Sequence, residues 1–528
     1  MPTQVPTASP LDEAAGKVDT WLEAHRTGYL LFCAALCFLT FTGYSHVKFP
    51  WVDEVLQMTI ARLPGVRDIW AALMDGIQVD PPVLHSLQHF FIGIFGDHYF
   101  LYRLPAIAGF SLMCVASSLL VWRHAPPLYA AAAFFAPYAT VLRSRAMDAR
   151  PYGAMVGFAA LTMLCWDNLE QPRNRMLWRI AFTLSLAATL STHFYSILLL
   201  LPLALGELTR WILRKRADWW TVLCIAVAMI PYMVWLPILL SASKRFMKGY
   251  FYKTDFANFY DFYGFAIASL PMAGLLLILA VVAGLLGQWR VDARAWQPAT
   301  NSQRALLAAV TGFLLLPLVG YAAGVLATGF FVPYYHMLAV FGVTLGLPLV
   351  MPLITGRREV IGLCLFLALV GHGLFVTTRG LSGFLRTEAP YPTLASVRKL
   401  IPEPRPDVAV ASSVHFLPFY EATRSDPENN LIYLTDPEKS LKEKGTNTGD
   451  IVNAELRGGR TPARIELFDS YVATHRRVYL AIIGEAKGLN EWQFQYFLKN
   501  PDYQMRWMGK AGDFDIFRVD SMSKVASN

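Results

Sequence analysis

Two adjacent carboxylates, Asp53 and Glu54, stand in the stretch HVKFPWVDEVLQM at residues 46–58. They come just after Gly28–Ser45, a run without a single charge that is suited to lipid. A carboxylate at such an exit can act as a general base, taking the proton from an attacking hydroxyl. The same pair also reads as N-terminal charges on a short helix, where they favour its dipole. Neighbours on a helix point about 100° apart, so both cannot aim at one spot. One can face a cavity while the other caps or orients it.

A second set lies in LRSRAMDARPYG at 142–153, where Arg143, Arg145, Asp148 and Arg150 precede Pro151. Guanidinium groups grip phosphate oxygens bidentately, so a bound phosphate would explain three arginines in one short loop. Headgroup contacts plus a surface Asp148–Arg150 pair, worth little, would also accommodate them. His193, in LSTHFYS, is either a hydrogen-bonded packing residue or, with Asp148, a ligand for a divalent metal. His85 and His89 have ligand spacing, but the wet face of an interfacial helix would place them equally well. Asp80, in VDPPVLH, can cap the helix after the two prolines or reach a cavity. Arg103, in YFLYRLP, can pair with an acid or a phosphate. Lys244, Arg245 and Lys248 with Tyr250, Phe251 and Tyr252 suit a lid over an anionic lipid, or an interface belt.

The elements that must carry these residues follow from composition. The chain has 528 residues, of which 55% are hydrophobic and 16% charged, where a soluble protein carries about 25% charged. Apolar runs of about 20 residues suffice to cross a bilayer as helices, and these runs are continuous, not alternating. The expected fold class is therefore a polytopic α-helical membrane protein. The N-terminus is polar through Arg26 and lacks a signal-peptide pattern, so the first span is expected to stay as an anchor. All six cysteines fall in apolar runs and read as small core residues. The net charge of +8 fits basic cytoplasmic loops and membrane lipids as partners. No basic face on a soluble domain points to nucleic acid.

About eleven candidate helices follow from the runs, near 28–47, 100–122, 127–142, 152–166, 180–192, 194–213, 219–240, 264–287, 305–327, 335–354 and 360–378. The chain is expected to divide at His193. Short loops bearing Arg123, Arg173, Arg175, Arg210, Arg214, Arg357 and Arg358 then fall inside by the positive-inside rule. That places residues 1–27 in the cytoplasm, 28–380 in the membrane region with a long outer loop at 48–99, and 381–528 in an extracytoplasmic α/β domain. In the outer loop, Leu56, Ile60 and Leu63 share one helical face, as do Leu84, Leu87, Phe91 and Ile94, which reads as interfacial helices. In the C-terminal region PDVAVASS, NNLIYLTD, RRVYLAIIG and DFDIFRVD read as strands and EWQFQYFLKN as a helix.

This arrangement resembles the GT-C glycosyltransferases, and more narrowly their family 39/83 type. That group includes protein mannosyltransferases, the aminoarabinose transferase of lipid A and transferases of the RgtA/B/C/D type. The resemblance covers roughly residues 28–380. It rests on DPPVLHSLQHFFIGIFGDHYFLYRLP with Pro81, Pro82, His89, Phe95, Gly96, Arg103, Leu104 and Pro105. DARPYG (Asp148, Arg150, Pro151, Tyr152), THFYS (Thr192, His193) and the Asp53–Glu54 pair complete it. It departs at Asp80, where His or Lys is frequent, and at FVPYYHML, where Pro333 and Tyr334 stand for an Arg-Tyr pair. The resemblance implies transfer of a sugar from a polyprenyl-phosphate donor to a lipid, glycan or protein acceptor. Asp53 would be the base and Glu54 its orienting neighbour; Arg150, Arg103 and Arg145 would hold the donor phosphate. Asp80, His89, Asp148, Tyr152 and Tyr334 would line the cavity. No cofactor is required, with a divalent metal at His193 and Asp148 as an option. The rival reading is a multi-spanning transporter or flippase of a lipid-linked or anionic substrate, which would predict internal repeats and broken helices.

Overall fold

In lipid every backbone N–H and C=O must be satisfied within the segment, and the apolar runs do this as helices. The structure is a computed structural model that describes residues 10–246, 249–250, 254–257, 259, 299–329, 331–355, 358–386, 391–404, 406–484 and 490–522. The expected span 264–287, and Lys248, Phe251 and Tyr252, lie outside the described residues. Along the chain come α1 (Pro10–Ala24), α2 (Arg26–Val47), α3 (Val52–Ala61), α4 (Val66–Met74), α5 (Pro82–Phe95) and α6 (Tyr99–Trp122). Then follow α7 (Pro127–Phe135), α8 (Leu142–Arg145), α9 (Tyr152–Asn168), α10 (Arg175–Leu190), α11 (Leu200–Arg214) and α12 (Trp219–Phe246). Finally come α13 (Asn301–Ala323), α14 (Leu338–Ile354) and α15 (Glu359–Arg386).

Among the described residues, six helical segments are long and apolar enough to cross a membrane: Arg26–Val47, Tyr99–Trp122, Phe194–Arg214, Trp219–Phe246, Asn301–Leu326 and Glu359–Gly380. α14 is apolar but shorter. The run expected at 127–142 is not one helix. α7 stops at Phe135, and a 3₁₀ turn, Ala136–Ala139, follows it. Pro137 in that turn has no N–H to continue the ladder. The division expected at His193 is present. α10 ends at Leu190, His193 is extended at φ −154° and ψ 142°, and a 3₁₀ segment, Phe194–Leu199, leads into α11.

The chain forms two compact units. The first comprises Met1–Lys48, Tyr99–Trp235 and Thr254–Leu385. Its seam is the contact of α6 with α9. A Cβ at Gly109 would run into Gly153 and Ala154, and one at Gly157 would run into Gly109. Small residues let two backbones approach this closely, as in membrane helix pairs. Ala106 meets Gly153 as Gly109 meets Gly157, so the two helices run parallel and their N-termini share one end of the bundle. The other end is closed by ion pairs. Arg123 Nε lies 2.5 Å and His124 Nε2 3.1 Å from the Asp167 carboxylate. Arg210 Nε lies 2.8 Å and Arg214 Nη2 2.5 Å from Glu170 Oε1. The Arg210 guanidinium also stacks 3.5 Å from the Trp166 ring centre, while Trp166 Nε1 donates to Glu207 at 3.0 Å.

The second unit comprises Phe49–His98, Leu236–Lys253 and Arg386–Asn528. Its α/β part contains α16 (Leu394–Arg398), β1 (Val408–Val410), α17 (Ser413–Ala422), β2 (Leu431–Thr435), α18 (Pro437–Lys444) and α19 (Thr448–Leu456). It continues with β3 (Arg464–Leu467), α20 (Phe468–Thr474), β4 (Arg477–Ile483), α21 (Trp492–Lys499), β5 (Tyr503–Ala511) and β6 (Phe514–Ser521). The sheet order is β3-β2-β1-β4-β6-β5. β1, β2, β3 and β4 pair in parallel, while β6 pairs antiparallel with β4 and β5. β1 and β2 are buried throughout, as strands covered on both faces must be. β3 and β5 are the edges, and their exposed polar positions hid them from the hydrophobic pattern. Beneath the sheet, Asp450 is buried and accepts from Tyr433 Oη at 3.0 Å and from Trp492 Nε1 at 3.2 Å. Burial outweighs these hydrogen bonds and pushes its carboxyl up to about 6.

Candidate active site

The candidate residues fall into two sets, one in each unit. In the second unit, α3 begins at an N-cap on Trp51, so Asp53 and Glu54 occupy its first turn. They face different surroundings. Glu54 is fully buried, and its Oε2 accepts the Trp51 backbone N–H at 3.4 Å, satisfying a donor that the helix start leaves orphaned. Asp53 remains half-buried. Its backbone carbonyl accepts from Gln78 Nε2 at 2.9 Å, and Gln78 Oε1 meets His85 Nε2 at 2.9 Å. That carbonyl-type partner makes Nε2 the protonated ring nitrogen of His85. A second buried amide pair, Gln57 Nε2 to Gln88 Oε1 at 2.7 Å, ties α3 to α5. Asp53 is thus carried on a helix start fixed by Glu54 and by the buried amides of Gln78, Gln57 and Gln88.

Three expectations change here. His85 is fully buried against Gln78 and is not on a wet face. The exposed apolar stripe of α5 runs through Val83, Leu87, Phe90 and Ile94, while Leu84 points into the core. Asp80 is buried but does not stand at the cap of α5, because Pro81 holds the N-cap position and Pro82 begins the helix. His89 sits at the other end of α3, with Nδ1 3.0 Å from the Ala61 carbonyl.

In the first unit the shared end of α6 and α9 gathers the remaining candidates. Arg103 is 1% exposed, and its Nη1 donates to the carbonyls of Ser45 at 2.7 Å and Lys48 at 2.8 Å. It therefore satisfies the end of α2, where carbonyls lack helical partners. Asp148 is buried between two cations. Lys48 Nζ pairs with its Oδ1, and Arg145 Nη1 donates to its Oδ2 at 2.8 Å. Burial alone would raise the Asp148 carboxyl, but Lys48 and Arg145 outweigh it and hold it below the ordinary carboxylate value. The guanidiniums of Arg145 and Arg150 lie 6.0 Å and 5.7 Å from the Tyr152 ring centre, within cation–π range. Arg145 is also 5.9 Å from the Tyr334 ring. Tyr152 in turn packs 5.5 Å from His193 and 6.2 Å from Tyr334.

The result is an aromatic wall beside Arg145, Arg150 and the Lys48–Asp148 pair. Tyr334, Tyr152, Asp148, Arg145, Arg150 and His193 come together, as a shared site requires. The metal option does not fit this donor set. Asp148 already carries two cations, and His193 Nδ1 accepts the Tyr195 backbone N–H at 3.1 Å. Among the described residues no three His, Cys, Asp or Glu side chains gather as a cation would need. Lys48 was missed from sequence although it stands in the opening stretch. Its only signal was a charge at the very end of the first span, and its partner lies 100 residues away.

No protein-family model and no curated protein sequence matches the chain. Among solved structures, the crystal structure of ArnT from Cupriavidus metallidurans in the apo state superposes with a TM-score of 0.51 at 13% identity, covering 94% of this chain and 99% of that one. The structure of ArnT from the same organism bound to undecaprenyl phosphate superposes with a TM-score of 0.44 at 14% identity, covering 93% and 98%. The second match is too loose to carry an inference. The first shows a shared fold over nearly the whole length of both chains.

Proposed function

We propose that this chain, which has the GT-C fold of ArnT, is an integral-membrane glycosyltransferase. It moves a sugar from a polyprenyl-phosphate donor to an acceptor hydroxyl on the outer face of the inner membrane, with inversion. The N-terminus is cytoplasmic and the α/β domain extracytoplasmic in this reading. The observation that supports it most is the arginine pair at the α9 start, where Arg145, anchored by Asp148, and Arg150 both lie over the Tyr152 ring. Guanidinium groups grip phosphate oxygens bidentately, so two of them beside one buried ring suit an anionic ligand.

The chemistry follows from these positions. Arg145 and Arg150 stabilise the negative charge that develops on the departing phosphate, which is electrostatic transition-state stabilisation. Lys48 and Asp148 hold Arg145 in place, and Arg103 holds the end of α2. Asp53 takes the proton of the acceptor hydroxyl. The hydroxyl oxygen bonds to the anomeric carbon as the bond to the phosphate oxygen breaks, and that electron pair leaves with the phosphate. Attack opposite the leaving group inverts the anomeric centre. Glu54 keeps the helix start in register. The acceptor is a lipid, a glycan or a protein.

The test is mass spectrometry of envelope glycans and glycoproteins from cells with and without the protein, and with Asp53→Asn. A sugar present with the wild type should be missing without it. Asp53→Asn should lower transfer by about 10²–10⁴ with folding intact. Full transfer by Asp53→Asn would overturn the base assignment, and unchanged glycans throughout would overturn the transferase.

A further inference from the structure

Within the second unit, a cavity of about 680 Å³ opens between α3, α5, α17 and the loop 459–462. This is within the usual size of small-molecule sites, about 300–1,000 Å³. α3 contributes Val55 and Thr59, and Arg62 follows at its C-cap on the same face at helical spacing. Asp53 and Val55 are two positions apart and so point about 160° away from each other. The cavity therefore lies on the face of α3 that Asp53 does not present, and the proposed chemistry does not use it.

Its wall is charged but matched. Arg62 donates to both oxygens of Asp97, at 3.0 and 3.2 Å, and to both oxygens of Glu421, at 3.0 and 2.8 Å. Arg424 Nη1 donates to Asp97 at 3.1 Å. Arg460, on the far side, pairs with Asp75. An incoming anion would meet the carboxylates of Asp97 and Glu421, and an incoming cation would meet the three guanidiniums. Neither is favoured. Alternating donors and acceptors at fixed spacing suit a ligand that offers both at once, as neighbouring hydroxyl groups do. The Asp97 and Arg424 side chains keep 37% and 43% of their surface exposed, so they can still reach a ligand. Much of the remaining lining is apolar or aromatic, with Leu63, Pro64, Ile92, Leu417 and Tyr420, and Thr59, His89 and Thr461 add uncharged or weakly basic polar groups. Apolar surface with a few fixed polar groups is the pattern of a specific small-molecule pocket, and a sugar ring has both an apolar face and a hydroxyl rim.

We propose that this cavity is a saccharide-binding subsite for an uncharged oligosaccharide. That the saccharide belongs to the acceptor rests on the transferase reading; the binding itself does not. A subsite remote from the reacting hydroxyl would supply binding energy that positions the acceptor.

The test uses the full-length purified chain and fluorophore-labelled neutral oligosaccharides of about two to six hexose units, a size set by the cavity. Gly93 faces this cavity from α5, and a Cβ added there meets nothing within 4 Å. Gly93→Leu should therefore fill the space without disturbing the fold, and it improves helix propensity. Gly93→Leu and Tyr420→Ala should each weaken binding about tenfold or more. Asp53→Asn should bind as the wild type does, and inorganic phosphate should not compete. The proposal is overturned if no neutral oligosaccharide binds the wild type, if both cavity variants bind unchanged, or if phosphate displaces the sugar. Loss of transfer in Asp53→Asn with sugar binding retained would support both readings. Retained transfer in Asp53→Asn would strike only the base.

Discussion

The first unit carries a buried charge cluster at each end of α6 and α9, and they are built differently. At one end Arg123, Arg210 and Arg214 meet Asp167, Glu170 and Glu207, charge for charge. At the other end Asp148 pairs with Lys48 and Arg145, and the Arg145 and Arg150 guanidiniums lie over the Tyr152 ring. The first cluster ties helix ends together through three carboxylates. The second stands beside aromatic rings at the end where the candidate site residues collect. Burial and charge are common to both, so neither property separates a clamp from a binding site. Position beside the other candidate residues does.

The largest way to break this contrast is at the matched end. Arg210→Met leaves Asp167, Glu170 and Glu207 short of a cation and should cost about 3–5 kcal/mol of stability, as removing one partner of a buried pair does. Thermal unfolding of the purified protein measures it, and the protein that remains folded should transfer sugar at the wild-type rate. At the end beside Tyr152 the pattern should invert. Arg150→Met should lower transfer by about 10²–10³, the usual loss when one transition-state donor is removed, with little change in melting temperature. Equal stability losses at both ends would dissolve the distinction.

Two carboxylates sharpen it through pH. Asp450 is buried with hydrogen bonds and burial as the dominant force on it, and its carboxyl sits at about 6 against 3.8 unfolded. Its contribution to stability is present below about pH 4 and is lost as pH rises through 6, a change of about 3 kcal/mol. Asp450→Asn should flatten that slope and raise the melting temperature near pH 7.5. Asp148 should behave in the opposite sense, since its cations hold it below 3.8. Its contribution is present at neutral pH and is lost as pH falls below that value. Asp148→Asn should therefore destabilise at pH 7 and make no difference in strong acid. This effect should be the smallest, because Lys48 and Arg145 keep some access to water.

Much of the fold was legible because hydrophobic runs report burial directly. The spans at α2, α6 and α12, the central strands β1, β2 and β4, and the break at His193 all follow from runs and their interruptions. The edge strands β3 and β5 did not, since an edge that faces water alternates weakly. Nor did the break after Phe135, where Pro137 lies inside an apolar run and looks like a tolerated kink. At the candidate site, charge was legible but partnership was not. Lys48 and Asp148 are far apart in sequence, as are Arg103 and the α2 carbonyls it satisfies. Gln57, Gln78 and Gln88 carry neither charge nor periodicity, yet they fix the helix start that bears Asp53. The Asp53–Glu54 pair could be divided by the helical angle alone, and Glu54 now has a partner in the Trp51 N–H.

The most direct measurement is the binding of a polyprenyl phosphate to the full-length protein, followed by native mass spectrometry. The wild type and Arg210→Met should retain the lipid to the same degree, and the Arg145→Met/Arg150→Met double variant should lose at least about tenfold in affinity. Equal retention by the double variant would contradict a donor phosphate held by Arg145 and Arg150.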